Sequence, residues 1–278
     1  MTVATLIKAH AFGNDFLLLA DGELDAGMDR AALARSTCDR HRGIGADGLI
    51  TYVGEAPVAM QLLNADGSYS EISGNGIRCL AAWIAARREA QPGSTIDIGT
   101  DAGTKALELR SVEGGRYTFR AAMGQPEQIA QRTLDVCGQQ VDVVTLRVGN
   151  PQCVVLGEVT EERLHTVAAT LAVHPAFPAG SNVELATLDA PDRVRILIWE
   201  RGVGPTEASG TGACAAAVAA MQYGGAARDV QVVSPGGIQR VEWLDDGLYL
   251  TGWAEIIAEI RWFPPATLAP PPPGPPTP

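Results

Sequence analysis

Ser73-Gly-Asn-Gly-Ile-Arg-Cys79 runs on into an alanine-rich apolar segment, and a second stretch, Ser209-Gly-Thr-Gly-Ala-Cys214, does the same much later in the chain. Both stretches read Ser-Gly-polar-Gly, and each is preceded by a glutamate two positions before its serine. The two serines are 136 positions apart, and the same offset carries Gly13-Asn14 onto Gly149-Asn150. Two matches at one offset indicate an old duplication, which predicts two similar domains.

A Ser-Gly-x-Gly sequence at the start of a helix has a physical use. The first turn of a helix carries backbone N–H groups without partners and a partial positive charge, and glycines let an anion come close to them. The simpler explanation is that each serine only caps its helix, which is a common role for serine. For one copy both explanations stay open, whereas two related copies favour a shared anionic ligand such as a carboxylate or phosphate.

Composition and charge exclude several functional classes. The chain has 278 residues, of which 46% are hydrophobic and 19% charged, and its formal net charge is −11. The negative charge argues against non-specific nucleic-acid binding, and no apolar run reaches the roughly 18 residues of a membrane span. Its first residues do not resemble a signal peptide, so we expect a cytoplasmic protein without a membrane or nucleic-acid partner. Five cysteines without ligand spacing predict neither a disulfide framework nor a metal site.

Many short strands and one apolar helix in each half predict an α+β fold rather than a strict alternation of strands and helices. We expect an N-terminal domain over residues 1–119 and a C-terminal domain over residues 120–263. Near the end of the second domain the pattern predicts two separate strands, at 248–253 and 256–262. Residues 264–278 hold nine of the 18 prolines, which predicts a disordered tail.

Further motifs lie in order along the chain. They are His10-Ala-Phe-Gly-Asn-Asp-Phe16, Asp39-Arg-His-Arg-Gly-Ile-Gly-Ala-Asp47, Asn64-Ala-Asp-Gly-Ser68, Gly149-Asn-Pro151, Ser181-Asn-Val-Glu184 and Glu200-Arg-Gly202. With the two Ser-Gly-x-Gly stretches, they resemble the diaminopimelate epimerase family in content and order over nearly the whole chain short of the tail.

This resemblance implies two pseudo-symmetric domains, each a curved, mostly antiparallel sheet wrapped around a central helix, with the site in the cleft between them. It also implies interconversion of LL- and meso-diaminopimelate by proton transfer at a Cα, a step that belongs to lysine and peptidoglycan-precursor biosynthesis. The family needs no cofactor and is commonly homodimeric, and its partner is a small amino-acid substrate.

The resemblance also implies which residues bind the substrate. The asparagines would hold its polar ends together with Glu200 and Arg201, and the two helix starts would receive the α-carboxylate. The positions are Asn14, Asn64, Gly74, Asn75, Asn150, Asn182, Glu200, Arg201, Gly210 and Thr211.

At its catalytic positions the chain departs from the family. Ser73 and Ser209 stand where the family has the two cysteines that remove and deliver the Cα proton, and Gln152 stands where it has a histidine. Glu200, the expected companion of one thiol, is retained. A thiol titrates near ~8.5 and suits general acid–base catalysis near neutral pH, whereas a serine hydroxyl is far less acidic.

Three interpretations of these serines stay open at this stage. The chain is an epimerase changed from cysteine to serine in order to trap a complex, or a diverged homologue that binds an amino acid or carries out a single-base elimination. In the third interpretation, Ser73 and Ser209 are activated and still epimerise.

Overall fold

The protein is represented by a computed structural model that describes residues 3–23, 27–54, 58–70, 73–101 and 103–264. The chain divides into two compact units. The N-terminal unit comprises the residues up to Ala106, Glu113–Tyr117 and those from Ala254 onward, and the C-terminal unit comprises Leu107–Val112 and Thr118–Trp253. The expected boundary at 119–120 stays a prediction, and the tail predicted to be disordered lies, from residue 265 onward, outside the described residues.

The elements of the N-terminal part are short strands around two α-helices and one 3₁₀ turn, Asp21–Glu23. In chain order they are β1 (Ala4–Ala11), β2 (Asn14–Ala20), α1 (Arg30–Cys38), β3 (Gly48–Val53), β4 (Val58–Asn64), β5 (Tyr69–Ser70), α2 (Gly74–Arg87) and β6 (Thr95–Thr100). Next come β7 (Gly103–Glu113) and β8 (Arg116–Gly124), joined by a turn at Gly114-Gly115.

The C-terminal part has longer strands and a second buried helix. Its elements are β9 (Glu127–Val136), β10 (Gln139–Val148), β11 (Asn150–Leu156), α3 (Glu161–Arg163), a π-helical turn (Leu164–Ala168), α4 (Ala169–Ala172), β12 (Asn182–Ala190), β13 (Arg193–Glu200), β14 (Gly204–Thr206), α5 (Gly210–Ala219), a second π-helical turn (Ala220–Gly224), β15 (Asp229–Ser234), β16 (Gly237–Leu244) and β17 (Gly247–Trp262).

The order of strand pairing is the same in both units. In the N-terminal unit β1–β2 is antiparallel, β2–β3 parallel, β3–β4 and β4–β5 antiparallel, and β4–β6 parallel. In the C-terminal unit β10–β11, β11–β12, β12–β13, β13–β14 and β13–β15 repeat those five orientations in that order. The repeated pairing agrees with the duplication inferred from the 136-residue offset, and the α+β class is confirmed.

Each unit buries one of the two helices that start with Ser-Gly-x-Gly. In α2 ten residues are buried, and in α5 nine of ten are buried. The alanines of α5 lie in one core cluster with Val154, Ala186 and Ile198, which come from three adjacent strands. Such helices are apolar on all sides because strands and loops surround them.

The prediction of separate strands at 248–253 and 256–262 is wrong. β17 is continuous from Gly247 to Trp262. Its first part pairs with β16 and its last part pairs with β1, so the backbone is hydrogen-bonded on both sides of the expected break. β1 is distant in sequence from β17, so the local pattern does not reveal that this partner continues the pairing after β16 ends.

Candidate functional site

In the N-terminal unit, Ser73 stands at the start of α2. Its backbone is extended, with φ −127° and ψ 124°, and its hydroxyl accepts a hydrogen bond from the Gly76 N–H. The donor–acceptor distance is 3.1 Å. The capping role considered for this serine is therefore confirmed, and the remaining N–H groups of the first turn are those suited to an anion.

A line of polar side chains leads to the first turn of α2. Asn75 donates to the carbonyl oxygen of Asn14 at 3.2 Å, and the Asn14 amide donates to Asp47 at 2.7 Å. Arg40 donates to the other oxygen of Asp47 at 2.8 Å, and Arg78 donates to the carbonyl of Asn75. Two of the predicted substrate-binding residues, Asn14 and Asn75, are thus held together in fixed orientations.

An ion cluster anchors this line to the sheet. Asp15 is paired with Lys8 and with Arg40, both at 2.7 Å. Burial alone would raise the pKa of Asp15, but the hydrogen bonds from Arg40 and Lys8 outweigh it and lower the pKa to about 2. The backbone N–H of Asp15 also donates to Asp47, so the carboxylate that orients Asn14 is itself fixed.

Two other predicted positions of this unit lie in more open surroundings. Asn64 is exposed at the end of β4 and donates to the Ser68 hydroxyl at 2.9 Å. At Gly74 an added Cβ would have Arg78 Nη1 at 3.9 Å as its nearest neighbour. The backbone at the start of α2 is therefore open to a ligand atom.

In the C-terminal unit, Ser209 repeats the arrangement at the start of α5. Its φ of −135° and ψ of 130° are again extended, and its hydroxyl accepts from the Gly212 N–H. That bond is 3.2 Å long, and the Thr211 hydroxyl lies 3.5 Å from the Ser209 hydroxyl. Burial raises the pKa of Glu200, and the nearby Ser209 and Thr206 hydroxyls only partly offset it. Glu200 therefore lies beside the Ser209 hydroxyl with an increased affinity for a proton.

Gln152 and Asn182 lie on the face of the sheet that supports α5. Gln152 is the register partner of Asn182, and the pairing of Val183 with Trp199 puts Asn182 next to Glu200. Since side chains alternate along a strand, these residues continue the face whose apolar part packs against α5. A polar patch on the sheet therefore lies at the N-terminal end of the helix.

Several hydrogen bonds hold this patch. Gln152 donates through its side-chain amide to Asn150 at 2.6 Å. Asn182 accepts from the backbone N–H of Arg201 at 2.9 Å, and the Arg201 side chain donates to the Ala179 carbonyl at 2.9 Å. In this unit the fold brings Gln152, Asn150, Asn182, Glu200 and Ser209 together around one helix start, with Gly210 and Thr211 in its first turn.

Glu184 belongs to this patch, and the sequence interpretation did not assign it a role. Its side chain is fully buried, and a Cβ added to Gly212 would lie 2.6 Å from its Oε1. Burial, and then the charge of Glu200, raise the pKa of Glu184 well above its ordinary value. The signal was available, because Glu184 lies two residues after Asn182 and so on the same face of β12.

Four of the five cysteines, Cys38, Cys79, Cys153 and Cys214, are buried packing residues, and Cys137 is exposed. Cys79 and Cys214 are completely buried in α2 and α5, as expected for small core side chains. Burial strongly raises the pKa of the Cys79 thiol and that of Cys153, and it raises the pKa of Cys38 to about 11. These three thiols are therefore poor sources of a thiolate near neutral pH.

Two other kinds of feature, a metal-binding cluster and a membrane-spanning helix, are absent from the described residues. No three His, Cys, Asp or Glu side chains among them come together in a way that could hold a metal ion. No helix in the described ranges is long and apolar enough to cross a membrane.

Comparison with known proteins assigns the family. The model of the family described as diaminopimelate epimerase matches residues 6–129 and 144–257. The chain belongs to the diaminopimelate epimerase family. A diaminopimelate epimerase of Desulforudis audaxviator is 38% identical over 273 residues, which cover 92% of this chain and 98% of that protein. One of Microcystis aeruginosa is 38% identical over 272 residues, covering 91% and 96%.

Solved structures agree with the fold. A predicted epimerase from Pseudomonas aeruginosa has a TM-score of 0.71 at 16% identity, and the match covers 94% of this chain and 100% of that one. At this identity the similarity shows the fold alone. The diaminopimelate epimerase family thus accounts for nearly the whole chain, in agreement with the resemblance carried by the motifs.

Proposed function

We propose that the chain is a cofactor-independent epimerase that interconverts LL- and meso-diaminopimelate by moving a proton at one Cα. The observation that carries the proposal is membership of the diaminopimelate epimerase family together with two buried helices that each start at a capping serine. Ser73 and Ser209, at the positions of the family's two cysteines, are assigned as the groups that exchange protons with the two faces of the substrate Cα.

The proposed reaction has two proton transfers. An oxygen base on one side breaks the Cα–H bond and takes the proton, and the electron pair is delocalised into the α-carboxylate. A hydroxyl on the other side then forms the new Cα–H bond and is left as the oxygen base. Backbone N–H groups at Gly74-Asn75 and Gly210-Thr211 would bind the carboxylate and stabilise its added negative charge.

Glu200 gives the C-terminal side of this reaction its base. Because burial raises its pKa, Glu200 binds a proton from Ser209 more readily than an exposed glutamate would. Asn14, Asn64, Asn150, Asn182 and Arg201 would hold the other polar groups of the substrate. Gln152 cannot exchange a proton at its position, so it orients Asn150 instead.

We expect turnover to be slow. A serine hydroxyl is several units less acidic than a thiol, so the fraction of oxygen base near neutral pH is small even beside a carboxylate. The same two hydroxyls still lie at helix starts where a carboxylate can bind, and binding should therefore be retained better than rate.

The test is hydrogen exchange in deuterium oxide. The protein is incubated with LL-diaminopimelate, the loss of the Cα proton is followed by NMR, and the stereochemistry is determined by chiral chromatography. We expect slow exchange accompanied by meso product, and loss of both in the variant Ser73→Ala with Ser209→Ala. L-Lysine, which lacks the second carboxylate, serves as the substrate control.

Other outcomes separate the alternatives. Thermal stabilisation by diaminopimelate without any exchange would identify a binding protein, and exchange without inversion, or elimination of a β-leaving group from a suitable amino acid, would identify a single-base reaction. If diaminopimelate neither undergoes exchange nor stabilises the protein, the assignment is overturned altogether.

The oligomeric state and location are part of the proposal. We propose a homodimer in the cytoplasm, supported by what the family resemblance implies and by the biosynthetic role of the proposed substrate. Light scattering after size-exclusion chromatography should give about twice the mass of 29.1 kDa, and a mass of one chain would contradict the dimer. Fractionation of cells that express the protein tests the location.

A further inference from the structure

Glu184 is a buried acid for which the proposed reaction has no use. Its side chain is 0% exposed, and neither carboxylate oxygen has a hydrogen-bond partner among the described residues. One point, the site of a Cβ added to Gly212, lies 2.6 Å from Glu184 Oε1 and 3.2 Å from Ser209 Oγ. Glu184 therefore contacts the first turn of α5 from below, next to the proposed reacting hydroxyl.

The fold does not require an acid at this place. In the N-terminal unit the corresponding position on the third strand of the repeat is Ile50, whose Cδ1 would lie 3.0 Å from a Cβ added to Gly76. Ile50 is fully buried and only fills space under the start of α2. Since an isoleucine meets the packing need in one unit, the glutamate in the other calls for a chemical explanation.

A buried acceptor near Glu184, the side-chain carbonyl of Gln152, lacks a hydrogen-bond donor among the described residues. Gln152 uses its amide nitrogen on Asn150, and its buried carbonyl oxygen has no partner among the described residues. Gln152 and Glu184 lie on one face of neighbouring strands, offset by two residues. If Glu184 were ionised, its carboxylate oxygens and the Gln152 carbonyl oxygen would all be acceptors without a donor. A protonated Glu184 has an O–H group that can donate a hydrogen bond to that carbonyl.

We propose that Glu184 is a positioning residue of the α5 start: it is held as a neutral carboxylic acid that donates to the Gln152 carbonyl, so that Glu200 alone carries charge beside Ser209. In this arrangement Gln152 is an acceptor for Glu184 and a donor to Asn150, which explains a non-titrating side chain at its position. The inference rests on the proposed function, because it assigns the charge beside Ser209 to Glu200 and the proton to Glu184. The tests of the inference need no substrate.

The other ionisable groups around Glu184 support this assignment. On the packed elements these are Glu200 on β13 and Cys214 in α5; the thiol is buried and the glutamate adds repulsion. Cys153 on β11 lies on the opposite face of the sheet, in the cluster with Val183 and Leu185. The two arginines of β13, Arg193 and Arg195, lie on the opposite face of the sheet by strand alternation. Burial and the nearby Glu200 charge both raise the pKa of Glu184, in agreement with a neutral group.

Two replacements of Glu184 test the proposal through stability alone. Because the pKa is raised in the folded state, wild-type stability should fall as pH rises above the ordinary value of a glutamate, since the folded state then holds a proton that the unfolded state releases. Glu184→Gln cannot ionise, so its midpoint of thermal unfolding relative to wild type should rise steadily from pH 5 to pH 8. A difference that stays constant over this range would overturn the neutral state of Glu184.

Glu184→Ile tests the hydrogen bond. If Glu184 only filled space, isoleucine, which does so at position 50, would stabilise at least as well as glutamine. We expect Glu184→Ile to unfold at a lower temperature than Glu184→Gln, and Gln152→Leu to remove that deficit by deleting the stranded carbonyl. Gln239→Leu, at another buried glutamine of the unit, is the matched control and should not rescue. An Ile variant more stable than the Gln variant would overturn the proposed bond.

Carboxyl NMR completes the test. In protein with ¹³C-labelled glutamate carboxyls, one glutamate resonance should keep the chemical shift of a protonated carboxyl at pH 7. That resonance should be missing from the spectrum of Glu184→Gln. Ordinary titration of every glutamate would contradict the proposal. If Glu184 is neutral but diaminopimelate shows no exchange, the inference stands and the proposed function fails, so the two failures are distinguishable.

Discussion

The starts of α2 and α5 have the same backbone conformation, but they pack against sheet side chains of different chemical character. Both begin with an extended serine that caps the N–H three residues later, and both have a glycine at that third position. Beneath α2 the sheet presents Ile50, and beneath α5 it presents Glu184. The duplication preserved the helix start, while the layer below it became apolar in one unit and acidic in the other.

The charges around the two helix starts differ in the same sense. At α2 the acids are paired with cations, and Asp15 between Arg40 and Lys8 has a pKa lowered to about 2. At α5 burial raises the pKa of Glu200 and that of Glu184. The N-terminal unit therefore fixes orientation, whereas the C-terminal unit holds protons. Asymmetric halves of this kind suit a reaction whose two proton transfers have different partners.

The largest effect is expected from restoring thiols. Ser73→Cys with Ser209→Cys should raise Cα exchange of diaminopimelate by about 10²–10⁴-fold, the usual range for general acid–base groups. Of the single variants, Ser209→Cys should exchange faster than Ser73→Cys, because Glu200 can take the thiol proton only at α5. Exchange is measured by NMR in deuterium oxide.

The control for added thiols is Ser234→Cys, at a buried serine of β15. It should leave the rate unchanged. Equal rates for Ser73→Cys and Ser209→Cys would contradict the asymmetry between the helix starts, and an inactive double variant that still binds diaminopimelate would contradict the epimerase assignment.

The next largest effect is expected from putting an acid under α2. Ile50→Glu should destabilise the protein by about 3–5 kcal/mol, because it removes buried apolar surface and adds a carboxyl to a site built for isoleucine. The cost should grow as pH rises, since the buried group must stay neutral. Ile50→Gln, measured by urea unfolding alongside it, should show a cost that does not change with pH. A tolerated glutamate at position 50 would mean that the two layers are interchangeable.

A smaller effect with the opposite pH dependence is expected at Asp15. Its pKa is lowered from 3.8 to about 2, so its ion pairs contribute stability above pH ~4 that is lost as pH falls through 2. Asp15→Asn should therefore cost about 2 kcal/mol at pH 7 and progressively less in acid, as measured by denaturant unfolding across pH. Asp97→Asn, at an exposed position of β6, should cost almost nothing at any pH. A penalty for Asp15→Asn that does not shrink in acid would show that packing rather than charge is lost.

The two helix starts can be predicted from the sequence, but the side chains that surround them cannot. The sequence predicts Ser73 and Ser209 at helix starts because a capping serine and its glycines are adjacent in the chain. Their surroundings come from distant segments: Asn14, Asp47 and Asn75 meet only after β2, β3 and α2 have packed. The burial of Glu184 depends likewise on strand register and on the approach of α5.

The smallest effect is expected at Gly76 and Gly212, the helix glycines that face Ile50 and Glu184. A Cβ at Gly76 would lie 3.0 Å from a terminal methyl of Ile50, and one at Gly212 would lie 2.6 Å from the Glu184 carboxyl. Alanine gains about 1 kcal/mol over glycine inside a helix, which offsets the milder contact but not the closer one. Gly212→Ala should therefore be less stable than Gly76→Ala by about 1 kcal/mol in urea unfolding.

The cause of that difference can be isolated in a cycle with Glu184→Ala. If the carboxyl is what Gly212 makes room for, Gly212→Ala should cost nothing once Glu184 is alanine, giving a coupling of about 1 kcal/mol between the two sites. Ile50→Ala should relieve Gly76→Ala by less, because its methyl contact is longer and can shift. Additive costs for Gly212→Ala and Glu184→Ala would mean that the acid does not press against the helix start, and the distinction between the two layers would then rest on charge alone.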